Sequence, residues 1–278
     1  MRIVMPLFDF DYDSSEEFVF EGGKYALRRF NPDDEIPNTD LFSKLDVEYM
    51  KDECWALVAQ DPDTDKYKQE VNILLLSFKI YKLSRLFIKY RLCKDNPENC
   101  STITETMKLV LPEESNGLIT FEDLKIVNEG FLNLSRMDTV SYRTHNAIYF
   151  MYRGFLSEKM IDSFAFLMMA IESLFSDEKR HGMTETICSR VSGFLGCKPR
   201  CKREDINRLY DLRSKIVHGK VVVDDDIRGK PCVLYDLQYV AIECVKKMLD
   251  ENIYPIYEDV DEKENYFAEL VKRELENP

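Results

Sequence analysis

Arg213 and His218 stand out because together they could work on a phosphate. A guanidinium presents fixed N–H donors to phosphate oxygens and to developing negative charge. An imidazole titrates close to neutrality, which suits it to giving or taking a proton. Each residue also has a purely structural reading. The arginine can be paired with a buried carboxylate, and the histidine can be a cation favoured by the negative end of a helix dipole.

Both lie in residues 203 to 220, whose spacing predicts a helix over 203–218. Ile206, Leu209, Tyr210, Ile216 and Val217 recur at steps of three and four and draw one apolar face, while Asn207, Asp211, Ser214 and Lys215 draw the other. Gly219 supplies the stop, since a residue free to adopt positive φ commonly ends a helix. Projection at about 100° per residue puts Arg213 near the middle of the apolar face, where a guanidinium is costly unless paired. The same projection separates Arg213 from His218 by about 140°. The long arginine can swing, the helix can loosen at Gly219, or two protomers can each contribute from facing helices.

The phrase Leu209-Tyr210-Asp211-Leu212-Arg213-Ser214-Lys215-Ile216-Val217-His218-Gly219 resembles the signature of HEPN domains, specifically the Apea-like branch. Upstream, Ala170-Ile171-Glu172-Ser173-Leu174-Phe175 and Arg190-Val191-Ser192-Gly193-Phe194-Leu195-Gly196 are similar to the same branch, in the family's order. Together the three stretches cover roughly residues 140 to 255. The resemblance implies an all-helical domain that pairs with a second copy and, in active members, cleaves RNA without a metal, in prokaryotic defence or stress. Many active members carry Asn, Asp or His directly after the arginine, where this chain has Ser214. The implied reaction is attack of an RNA 2′-hydroxyl on the neighbouring phosphate, with His218 moving protons and Arg213 stabilising charge. Of the three ways of uniting the pair, the resemblance favours a composite site at a homodimer interface.

Supporting residues follow from position. Glu172 sits beside the apolar face of its own helix and can hold Arg213, for catalysis or as a structural partner. Tyr210 and Asp211 can line the same cleft, or be a core tyrosine and a solvated aspartate. Lys215, Lys220 and Arg208 are candidate RNA-binding cations, and Arg190 reads as an internal salt-bridge partner.

The formal charge of −13 argues against a protein that coats nucleic acid non-specifically, because phosphate contacts need Lys and Arg. Local charge differs: residues 198 to 220 are basic, and Lys79, Lys82, Arg85, Lys89, Arg91 and Lys94 form a second island that could choose RNA. The acidic runs, including Asp224 to Asp226, read as solvated loops and faces. Eight cysteines lack the dense spacing of a secreted disulfide scaffold, and no leader-like run opens the sequence. The longest apolar run, Phe164 to Ile171, falls far short of the roughly 18 residues a span needs. These features predict a cytoplasmic protein with reduced thiols and no membrane association.

No cofactor or metal is expected. Asp61-x-Asp63-x-Asp65 begins like a calcium loop, but Lys66 stands at the glycine position and Asn72 at the bidentate glutamate. Cys197-x3-Cys201 has no second Cys/His pair at suitable spacing, and the three histidines at 145, 181 and 218 are scattered.

The expected fold class is an α+β N-terminal module over 1–120 followed by an all-α HEPN-type helical bundle over 121–278. In the first part, Phe18–Phe20 and Tyr25–Leu27 predict a hairpin, Asn31 to Asn38 a loop, and Cys54–Ala59 a buried strand. A helix capped by Asp61 to Asp65 follows, then two strands joined through Asp95-Asn96-Pro97. Helices are expected at 121–134, 138–154, 158–176, 183–195, 203–218, 232–253 and 260–275, the third nearly apolar all round and therefore central. The reading reached from this pattern is a metal-independent endoribonuclease acting on RNA as a homodimer. The alternatives are a non-catalytic HEPN dimerisation or RNA-binding module, and a toxin component held silent by an antitoxin or regulatory protein.

Overall fold

The computed structural model describes residues 2–20, 22–36, 42–51, 54–60, 66–82, 86–93, 101–105, 118–157, 159–177, 183–196, 198–218, 220 and 231–276. The expected features at Asp61 to Asp65, Arg85, Lys94, Asp95-Asn96-Pro97, residues 106–111, His181, Cys197, Gly219 and Asp224 to Asp226 lie outside them. The chain divides into two compact units, the first extending to Leu132 and the second starting at Asn133, apart from a short stretch outside the described residues.

The first unit is built on an antiparallel sheet. Its strands are β1 (Arg2–Phe8), β3 (Phe18–Val19), β4 (Tyr25–Arg29), β5 (Trp55–Gln60), β6 (Phe87–Cys93) and β7 (Ser101–Glu105), in the order β3-β4-β5-β1-β6-β7. The hairpin forms with Phe18 opposite Leu27, and Gly22 and Gly23 take φ of 87° and 68°, which a side chain would oppose. Two short strands, β2 (Asp11–Tyr12) and β8 (Leu118–Ile119), pair in parallel beside it. β1 sits in mid-sheet and is buried from Ile3 to Phe8, so both of its faces are apolar and it shows no alternation to read.

Two helices give the sheet its cores. α2 (Lys44–Lys51) packs Met50 and Val47 onto Val4, Ala56, Val58, Tyr90 and Leu92. α3 (Tyr67–Lys82) brings Phe78 against Phe10 and Phe20, and its Glu70 accepts a 2.7 Å hydrogen bond from the Tyr25 hydroxyl. The stretch expected as loop after Asn31 contains one helical turn, α1 (Pro32–Glu35), because proline at a first helical position gives up no hydrogen bond. Glu35 there accepts from Arg28 and, at 3.4 Å, from Arg2.

The four described members of the basic island of the first unit turn to internal partners. Lys79 is fully buried and donates to Leu86 O at 2.9 Å, and Lys82 meets Asp123 at 2.9 Å. Lys89 meets Asp46 at 2.6 Å, while Arg91 is buried over the Tyr67 ring. Burial works against the Asp46 charge, but bonds from Lys89, Ser43 and Tyr90 outweigh it and hold the carboxyl below the usual range. Lys79, Lys82, Lys89 and Arg91 thus each have an internal partner.

The helices begin with α4 (Phe121–Val140) and α5 (Tyr142–Leu156). The expected break near residue 135 is absent, because Leu134 and Met137 keep helical spacing and are both fully buried. The break falls instead at Ser141, whose side chain forms a reciprocal capping box with Thr144. Next come α6 (Met160–Phe175), α7 (Met183–Leu195), α8 (Arg203–Val217) and α9 (Pro231–Asp250), then a 3₁₀ turn (Tyr254–Glu258) and α10 (Val260–Glu276).

α6 is central, packed against α5, α7 and α9. Its Phe175 meets Phe194 of α7 at 5.4 Å and Phe267 of α10 at 5.3 Å between ring centroids. Gly154 of α5 lets α6 approach closely, since a Cβ there would lie 2.7 Å from Leu167 Cγ. Apolar content all round does not make α6 buried all round: Ala165 and Met169 face solvent.

Candidate functional site

α8 forms over the span its apolar spacing predicts, and Arg203 at its start pairs with Glu185 of α7. Ile206, Leu209 and Tyr210 are buried, but Ile216 is only half-buried and Val217 is 62 % exposed. The last turn of α8 therefore carries its apolar face beyond the packing that covers the first turns. His218 is the C-cap, its N–H donating to Ser214 O at 3.0 Å. The Lys220 N–H reaches back to Lys215 O at 2.8 Å, the long-range bond of a Schellman closure.

Arg213 and Glu172 are brought together. Arg213 Nε lies 3.2 Å from Glu172 Oε1, and Nη2 donates to Oε2 at 3.5 Å. The guanidinium is not sunk in the apolar face; its side chain is 41 % exposed, so the pair bridges α6 and α8 at the edge of the bundle. Burial raises the Glu172 carboxyl above its ordinary range, and the Arg213 charge pulls it partly back.

Tyr210 lies inside the core beside this pair, and its hydroxyl is sealed from solvent without a hydrogen-bond partner. Burial and the nearby Glu172 charge push its pKa well up, so the phenol stays protonated. Of the two readings of this residue, core tyrosine is the one observed, and Asp211 is exposed.

His218, Ser214, Lys215 and Lys220 are all exposed. Among the described residues the His218 ring has no hydrogen bond or ion pair and does not meet Arg213. Arg208 is drawn away to Asp236 of α9 at 2.8 Å, and Arg200 meets the same carboxylate at 3.4 Å. The basic stretch thus leaves Lys202, Lys215 and Lys220 as exposed cations, two of them flanking His218. Arg190 is an internal anchor, donating to Glu264 and to Phe175 O while its guanidinium lies 5.2 Å from the centre of the Phe267 ring.

Two features flanking the pair escape the motif. Met169 lies one turn before Glu172 and is 44 % exposed, and Val217 lies one turn after Arg213. Together they put apolar surface on both sides of the ion pair. The exposure of Val217 has no sequence signal, because it falls in a periodic apolar position; Met169 lies off the buried stripe of α6, on the face it shares with exposed Asp162 and Ala165.

Among the described residues no three metal-ligating side chains converge, and no helix is long and apolar enough to cross a membrane. No protein-family model, curated protein or solved structure matches the chain.

Proposed function

We propose that this chain is a metal-independent endoribonuclease of the HEPN type whose site is completed by a second copy. The observation that carries the reading is the half-exposed Arg213–Glu172 pair, one turn from an exposed, unengaged His218, at an edge bordered by exposed Met169 and Val217. A second protomer docked across that edge covers the apolar flanks and brings a second Arg213 and His218 to the first. In the reaction the RNA 2′-oxygen bonds to phosphorus and the bond from phosphorus to the 5′-oxygen breaks. The proton leaving the 2′-hydroxyl passes to one His218, and the other delivers a proton to the departing 5′-oxygen. Arg213 faces the charge gathering on the non-bridging oxygens. The products are a 2′,3′-cyclic phosphate and a 5′-hydroxyl, and DNA, lacking the 2′-hydroxyl, is not a substrate.

A second reading has its own support. Within one protomer Arg213 is held by Glu172 and does not reach His218, which is the arrangement a non-catalytic binding module would keep. One experiment separates the two. Wild type and His218→Ala are incubated in EDTA with labelled single-stranded RNA and tRNA, with fold and oligomeric state checked. The nuclease reading expects cleavage by wild type with cyclic-phosphate ends, slowed by about 10²- to 10⁴-fold in the variant. RNA retained uncut by both proteins would favour the binding module, and cleavage undiminished in His218→Ala would overturn the assignment.

A further inference from the structure

The Tyr210 hydroxyl is an anomaly in the core of the second unit. The residue is only 4 % exposed, and among the described residues its oxygen has no hydrogen-bond partner. A buried hydroxyl in that state is destabilising, and phenylalanine would fill the same space without the cost. Its neighbours on α7 and α9 include the thiols of Cys188 and Cys244, which accept hydrogen bonds only weakly. The strong acceptor beside it is the Glu172 carboxylate of α6, which exerts the largest effect of any charge on the phenol. Tyr210 stands three residues before Arg213, so phenol and guanidinium lie along one face of α8 and border the same carboxylate.

Arg213 holds that carboxylate loosely. Its Nε lies 3.2 Å from Oε1, and its Nη2 reaches Oε2 only at 3.5 Å. Among the described residues the guanidinium has no other partner, and with its side chain 41 % exposed it can exchange Glu172 for water or an anion with little change in solvation. Glu172 has no such freedom. Its side chain is 20 % exposed, and a carboxylate left there without a donor is disfavoured by the burial that already raises its pKa. Without a substitute donor, the stranded carboxylate would draw Arg213 back.

We infer that the Tyr210 hydroxyl is a reserve donor to Glu172, which takes the carboxylate when Arg213 leaves it and so frees the arginine for a phosphate or another anion. Arg213 then has two positions, docked on Glu172 or released, and Tyr210 is a positioning residue that sets the balance between them. A hydroxyl left unbonded in the docked state is what such a device requires. The destination of the released arginine rests on the nuclease reading proposed above. Its release does not, and the test is read on folding with no RNA present.

Urea denaturation of the full chain is measured for Tyr210→Phe in three backgrounds: wild type, Arg213→Met, and Arg213→Met with Glu172→Leu. In wild type the change removes an unbonded hydroxyl and should lower the unfolding constant about fivefold or more. In Arg213→Met the hydroxyl is bonded to Glu172, so the same change should raise the unfolding constant about fivefold or more. With Glu172→Leu added, Tyr210→Phe should stabilise once again. A second measurement carries the test should the Glu172→Leu protein fail to fold. Followed by NMR, the Glu172 carboxyl should bind its proton about tenfold more weakly in Arg213→Met than in Arg213→Met/Tyr210→Phe, because a donor favours the charged form. A tyrosine with a merely structural role would give the same stability change in the first two backgrounds and the same Glu172 titration in both variants. Either result would overturn the inference, as would a destabilising effect of Tyr210→Phe that persists without Glu172.

Discussion

Arg190 and Arg213 stand on successive helices and each meets a glutamate, yet their surroundings assign them different work. The Arg190 side chain is 9 % exposed and is held by Glu264, by Phe175 O and by the Phe267 ring. Truncating it leaves Phe175 O without that donor and Glu264 with Lys263 alone at 2.9 Å, and uncovers the Phe267 ring, which costs about 2–3 kcal/mol. Arg213 is 41 % exposed and has one partner, so solvent screens the pair and its loss costs about 1 kcal/mol or less. Urea denaturation of Arg190→Ala and Arg213→Ala should show this contrast; equal losses would make Arg213 a structural anchor. The Arg213–Glu172 contact was legible because a guanidinium on an apolar face demands a carboxylate, and Glu172 was the acid beside the neighbouring apolar stripe. The exposure of Val217 was not legible. Periodicity reports which residues share a face and is silent on where the neighbouring helix stops covering it.

At the scale of elements, α3 shows how far a charge pattern can mislead. Lys79 reads as part of a basic surface, yet its ammonium is buried against Leu86 O, and desolvation pushes its pKa down to about 7 despite the opposing charge of Asp9. The unfolded chain holds that proton up to about pH 10.4. Between these values the unfolded state binds more protons than the folded one, so this group makes stability rise with pH across that window and leaves its full penalty in place below about 7. The stability of wild type relative to Lys79→Met should therefore rise between pH 7 and 10, by up to about 1.4 kcal/mol per unit. A difference flat in pH, measured by denaturation of both proteins, would mean the lysine stays charged in the fold. Elements whose residues report a single environment were legible: the hairpin at Phe18, the strand at Trp55, and helices α6 to α10. β1 and α2 were not. β1 is apolar on both faces and has no period, and α2 is a short helix that buries only Met50 and Asp46 and half-buries Val47.

On the scale of the whole molecule, a chain of net charge −13 repels RNA at long range, so any productive contact must be local. The exposed cations nearest the proposed site are Lys215 and Lys220, which bracket His218 where the C-terminal end of a helix already favours positive charge. Two copies brought together across the α6–α8 edge would double that density, which gives dimerisation an electrostatic role in addition to pairing Arg213 with His218. Val217→Lys tests this arrangement without damaging the fold, because the position is 62 % exposed and a lysine suits the last turn of a helix. Across a two-fold axis the change faces like charge with like and replaces apolar contact. The proposed dimer requires the variant to sediment as a monomer at concentrations where wild type does not. Its added positive charge should leave RNA binding no weaker per protomer, while cleavage disappears. Because the substitution favours RNA electrostatically, lost cleavage could not be blamed on lost attraction and would point to the missing second protomer. A monomeric Val217→Lys that still cuts RNA would instead place a complete site within one chain, with Arg213 released from Glu172 to swing toward His218.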